Sequence, residues 1–68
     1  MTIKYFRDTD TAILEFSDGP IKETREISEN IYVDLDEDGN LISMTIEHAH
    51  ENASLPNVVV EEVETGVA

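Results

Sequence analysis

The sequence contains no cysteine and no tryptophan, and only four of its 68 residues are basic. The absence of cysteine excludes disulfides, which many domains of this size use to offset a small hydrophobic core. No apolar run approaches the roughly 20 residues that span a bilayer, and the first ten residues lack the apolar stretch of a signal peptide. We therefore expect a soluble, cytoplasmic protein that forms one small domain.

The scarcity of basic residues leaves a net charge of −12, because 16 residues are acidic. Nucleic acid and anionic membranes bind positive surfaces, so neither is expected as a partner. Small domains without disulfides are commonly stabilised by a metal or by a partner subunit. The composition therefore favours a homodimer or another homo-oligomer, with a basic protein as a further candidate partner, and it indicates no cofactor.

Apolar and polar residues alternate along much of the chain, which is typical of strands with one buried and one solvated face. The segments with this character are residues 2–7, 11–17, 31–36, 41–47 and 57–63. Residues 21–28 form a weaker candidate strand that is polar on both sides, so we expect it at an edge of the sheet. Together these segments predict a mainly β fold, with α+β as the alternative: a small antiparallel β meander of five to six strands, with room for one short helix near residues 47–54. The domain is expected to span residues 1–64, followed by a loose C-terminal tail at residues 65–68.

The turns determine the predicted register. Asp-Gly is a preferred sequence for a type I′ turn, so Asp38 and Gly39 are expected to form a two-residue loop. Apolar residues then face one another across the hairpin: Leu35 with Ile42, Val33 with Met44, and Ile31 with Ile46. The preceding turn is predicted as a three-residue loop, 28–30, which sets Ile27 opposite Ile31.

Asp34, Asp36 and Asp38, followed by Gly39, have the D-x-D-x-D-G spacing that opens the calcium loop of an EF-hand. The bidentate glutamate expected at position 12 of that loop is replaced by Thr45, and strand-like sequence flanks the loop where an EF-hand has helices. These aspartates are therefore only weak candidates for a divalent-metal site.

His48 and His50 form an H-x-H pair, which can chelate a transition metal when it lies on a strand, because residues two apart share a face. On a helix the two imidazoles would diverge, and the sequence indicates no third ligand. Metal binding through this pair or through the acidic turn is the alternative to a role in protein interaction.

The sequence contains none of the common catalytic motifs that would indicate an enzyme. The chain has no cysteine nucleophile, no G-x-S-x-G elbow and no phosphate-binding loop. Carboxylates are so abundant that their proximity in the sequence carries little meaning. We predict a noncatalytic protein-interaction module that self-associates.

An ordered set of short motifs resembles the small prokaryotic proteins grouped as domain of unknown function 2283. The set covers about residues 3 to 50 and comprises Tyr5, Asp10, Glu23-Thr24-Arg25-Glu26, Val33-Asp34-Leu35-Asp36, Gly39 and Ile46-Glu47. The resemblance implies a compact, strand-rich domain. It implies no activity, cofactor or catalytic residue.

Overall fold

A computed structural model describes residues 1–66, which form one antiparallel five-stranded sheet and one short helix. The strands are β1 (Thr2–Phe6), β2 (Thr11–Glu15), β3 (Glu23–Ser28), β4 (Ile31–Leu35) and β5 (Leu41–Glu47), and the helix is α1 (Ala49–Ala53). The predicted β-rich fold with a helix near residues 47–54 is confirmed. The predicted tail, residues 65–68, lies partly outside the described residues.

The strand order in the sheet is β1-β2-β5-β4-β3. The chain builds the hairpin β1-β2 first, crosses to the far edge, and returns through β3 and β4 to place β5 beside β2. The polar segment predicted as an edge strand is β3, which is exposed along its whole length. Central β5 is the longest strand and contains most of the buried strand residues, since it has a neighbour on each side.

The core lies where α1 packs on one face of the sheet. Its buried residues are Ala12, Ile46, Ala49 and Leu55, with half-buried side chains of the same face around them. Small residues on β2 and α1 allow the helix to approach the sheet closely, and Leu55 closes the cluster just after the helix. Only this end of the sheet face is covered by the helix, so the core is small.

The turn between β4 and β5 differs from the prediction. Asp36 donates its N–H to the Asn40 carbonyl (3.0 Å), so the loop contains three residues, and Gly39 has a φ of +82° while Asp38 keeps a negative φ. The prediction of a type I′ turn at Asp38-Gly39 is therefore wrong. The reason is the Asp36 carboxylate, which accepts the N–H groups of Asp38 (2.9 Å) and Asn40 (2.8 Å) and so stabilises the wider loop.

A β-bulge then restores the expected pairing. Leu41 pairs with Leu35 and Ser43 pairs with Asp34, so Ile42 is the extra residue on β5. Beyond the bulge, Val33 pairs with Met44 and Ile31 with Ile46, as predicted, whereas the pairing of Leu35 with Ile42 is wrong.

The turn between β3 and β4 also differs from the prediction, but in the opposite sense, because it is tighter than expected. Ser28 pairs with Ile31, which leaves a two-residue loop, and Ile27 is the extra residue of a bulge on β3. The prediction that Ile27 faces Ile31 is therefore wrong, and Ile27 is 60% exposed. On an edge strand a bulge disturbs only one ladder, so the pairing of β4 with β5 is unaffected.

Residues 57–63, the sixth candidate strand, form no strand within the described residues. They follow a cis peptide bond between Leu55 and Pro56, and their valines are exposed. Periodicity suggested a strand there, but no neighbouring strand is available to it within the described chain. The described part of the chain also contains no helix long and apolar enough to cross a membrane.

Candidate interaction surfaces

The sheet has one apolar and one polar face, and the pairing register assigns each paired strand residue to one of them. The bulge residues Ile27 and Ile42 have no pairing partner. The apolar face is the one on which α1 packs. Its paired residues are Ile3, Tyr5, Ala12, Leu14, Glu23, Arg25, Ser28, Ile31, Val33, Leu35, Leu41, Met44 and Ile46. The polar face consists of Thr2, Lys4, Phe6, Thr11, Ile13, Glu15, Thr24, Glu26, Tyr32, Asp34, Ser43, Thr45 and Glu47.

Much of the apolar face lies beyond the reach of α1. The part away from the helix is only half-buried or exposed, and we call it the open apolar patch. Its residues are Ile3, Val33, Leu35 and Leu41. Leu41 is 37% exposed, which is a large exposed fraction for an apolar side chain on the apolar side of a small sheet.

Charge is nearly absent from the apolar face. Its only ionised strand residues are Glu23 and Arg25, which form an ion pair with each other on β3. The hydrogen bond from the Arg25 guanidinium lowers the pKa of Glu23 and raises that of Arg25. The pair therefore adds no net charge to this side of the sheet.

The polar face is acidic by contrast. Its strand residues include four carboxylates, Glu15, Glu26, Asp34 and Glu47, against one cation, Lys4, which contacts Glu15 at 3.1 Å. The apolar side chains Phe6, Ile13 and Tyr32 lie among them. Phe6 and Ile13 share this face because Tyr5 pairs with Ala12 on the opposite face of the β1-β2 hairpin.

The three aspartates of the calcium-like motif serve different structural purposes. Asp34 lies on the polar face and accepts hydrogen bonds from the Thr24 hydroxyl (2.6 Å) and the Ser43 hydroxyl (2.5 Å). Asp36 caps the turn, and the hydrogen bonds that it accepts, first from the Asn40 N–H, lower its pKa. Asp38 is exposed at the tip of the loop.

His48 and His50 do not share a strand face. His48 adopts a left-handed conformation with φ of 51° at the start of α1, and His50 lies in the helix. The Nδ1 atom of His48 is 3.9 Å from the Glu51 carboxylate. Across residues 1–66, no three or more His, Cys, Asp or Glu side chains are grouped so that they could hold a metal ion.

A cluster that the sequence did not single out joins β1, the first turn and α1. The Asp10 carboxylate accepts a hydrogen bond from the Tyr5 hydroxyl (2.7 Å) and one from the His50 N–H (3.1 Å), while its carbonyl accepts the Ala49 N–H (2.8 Å). Asp10 reaches these donors with a φ of +52°. The Tyr5 hydroxyl lowers the pKa of Asp10 most, and the same bond raises the pKa of Tyr5.

This cluster positions the helix over the sheet. The signal in the sequence was available, because Tyr5 and Asp10 both belong to the set of motifs on which the family resemblance is based. The pattern could not show that the two side chains bond to each other, since their proximity depends on the β1-β2 hairpin closing at the register of Tyr5 with Ala12.

Together these features define a class: a small single-sheet β protein with one apolar and one acidic sheet face. The hydrogen-bonded carboxylates of Asp10, Asp34 and Asp36 stabilise its turns and strands. The chain matches the model of the family described as protein of unknown function (DUF2283) over residues 2–50. It belongs to that family. No curated protein and no solved structure matches the chain.

Proposed function

We propose that the protein is a noncatalytic interaction module that self-associates through the open apolar patch. Burial of this patch would supply the hydrophobic area that the small core lacks. Because the apolar face has no net charge, two copies can bring these faces together while their acidic faces stay in solvent. The net charge of −12 opposes most other modes of self-association.

The observation that carries the proposal is the excess of exposed surface. The chain exposes 5391 Å², whereas a folded monomer of its mass exposes about 4,300 Å². The exposed valines after Pro56 and the 37% exposed Leu41 on the sheet both add to the exposed area. A standard interface removes about 800 Å² from each partner, so a face-to-face dimer would bring the exposed area into the ordinary range.

Sedimentation equilibrium across micromolar to millimolar concentrations tests the proposal. The wild type should sediment as a species of twice the 7.6 kDa chain mass. Leu41→Lys places a charge in the open apolar patch and should weaken the dimer by about 10- to 100-fold, because a buried unpaired charge opposes association. Ile27→Lys is the matched control, since it makes the same charge change on an exposed aliphatic residue of the β3 bulge.

A monomeric wild type at every concentration would contradict the proposal. Equal weakening by Leu41→Lys and Ile27→Lys would also contradict it, because the effect would then come from charge in general and not from the patch.

In this dimer the acidic polar faces point outward, and we assign them to a basic protein partner. The proposal keeps the cytoplasmic location predicted from the sequence. Pull-down from the native host with the wild type and with a Glu26→Lys, Glu47→Lys double variant tests the assignment. A genuine partner is retained by the wild type, released by salt and lost with the variant. Equal recovery on both baits would refute it.

A further inference from the structure

The valine segment, Val58–Val63, exposes apolar side chains to solvent. Val59, Val60 and Val63 are 83%, 78% and 75% exposed, and Val58 is 46% exposed. Valine is stiff at χ1 and favours extended backbone, so such a run suits a strand. Within residues 1–66 the segment nevertheless pairs with no strand. Its valine-rich composition and its exposure both indicate that it can pair with a strand outside its own sheet.

The sheet offers two edges, β1 and β3, whose outward N–H and C=O groups have no partner strand within residues 1–66. Their charges differ. Within its bounds β1 carries Lys4 and no carboxylate, whereas β3 carries Glu23 and Glu26 against Arg25.

The valine segment contains Glu61 and Glu62, and Glu64 follows it directly. These carboxylates complement the β1 edge and would be repelled by the glutamates of β3. Although Lys4 also contacts Glu15, the β1 edge has the more positive charge of the two. Charge therefore selects β1 as the edge that receives the segment.

The starting point of the segment directs it toward a second copy. The chain leaves the core at Leu55, which packs against the apolar face beside Ala12 and Ile46. In the proposed dimer this is the side that faces the partner. Packed sheets lie about 10 Å apart, and the eight residues 57–64 span roughly 26 Å when extended. The segment is long enough to cross the interface and lie along the partner's edge strand.

We propose that the valine segment of one copy adds to the β1 edge of a second copy as a sixth strand. The inference rests on the proposed self-association and names a further element of the same dimer. Reciprocal exchange gives a closed two-fold assembly, in which each sheet has six strands.

Amide hydrogen–deuterium exchange on the full chain, at concentrations below and above the dimer midpoint, tests this inference. In the dimer, exchange should slow by about tenfold or more in the valine segment and at the alternate β1 amides that point away from β2. Both segments should exchange rapidly in the dilute monomer.

Two variants sharpen the test. Val59→Pro removes a backbone N–H and is expected to abolish the concentration-dependent protection of both segments. Val59→Thr keeps a β-branched residue and should leave the protection in place. Because Val59 is highly exposed and lies outside the core, neither change should affect folding.

The outcomes separate this inference from the proposed function. A dimer by sedimentation whose valine segment remains unprotected overturns strand addition and leaves the face-to-face dimer standing. Protection that is independent of concentration overturns it as well, since the segment would then pair within its own chain. A chain that is monomeric throughout overturns both proposals.

Discussion

Because the core is small, shortening Ile46 is predicted to remove a large fraction of the total stability. This side chain is 7% exposed and lies with Ala12, Ala49 and Leu55 beneath α1. Ile46→Ala removes three carbon groups, which at about 0.8 kcal/mol each corresponds to about 2.4 kcal/mol. Partial collapse of the helix into the space limits the cavity contribution, so we expect a loss of about 2–3 kcal/mol in the free energy of unfolding.

That loss is a large fraction of the total. A chain of this length is stabilised by about 3–10 kcal/mol, and the melting temperature should fall by about 10–20 °C. Urea denaturation monitored by circular dichroism should show a lower midpoint with an unchanged slope. Measurements at two protein concentrations separate the effect from any change in association.

Ile27→Ala is the matched control. It makes the same chemical change on another strand, but Ile27 is 60% exposed, so the expected loss is about 0.5 kcal/mol or less. If both variants lost the same stability, or if Ile46→Ala lost less than about 1 kcal/mol, the core described here would not be the one that holds the fold together.

Three further predictions concern charge. Asp10→Asn should lower the melting temperature at neutral pH and have little effect in strong acid. The reason is that the pKa of Asp10 is lower in the folded state, so its stabilisation is present above the ordinary aspartate pKa and is lost as the pH falls through the folded pKa. Equal effects at both pH values would contradict this. Added monovalent salt should raise the melting temperature of the wild type by screening its net charge of −12, and a fall would show that repulsion is not important. Calorimetric titration with Ca²⁺ or Zn²⁺ should show no submillimolar stoichiometric binding, since the Asp34 and Asp36 carboxylates already accept hydrogen bonds within the fold; binding abolished by Asp36→Asn would restore the metal-binding alternative.

The sequence by itself determined the five strands of the sheet, the edge position of residues 21–28 and the short helix, although it also predicted a strand at 57–63 that does not form within the described residues. These depend on local periodicity and on the physical cost of exposing apolar side chains, both of which can be recognised along the chain. The central pairs of Val33 with Met44 and Ile31 with Ile46 followed for the same reason.

Only the tertiary structure decided the details of the turns and the placement of the helix. The Asp36 carboxylate stabilises a three-residue loop, and a bulge at Ile42 corrects the register that this loop would otherwise shift. Asp10 meets Tyr5 and the start of α1 only once the first hairpin has formed. Such contacts join residues that are distant in sequence or depend on backbone geometry, so periodicity contains no information about them. For the same reason, periodicity could not show that the valine segment would have no neighbouring strand within the described chain.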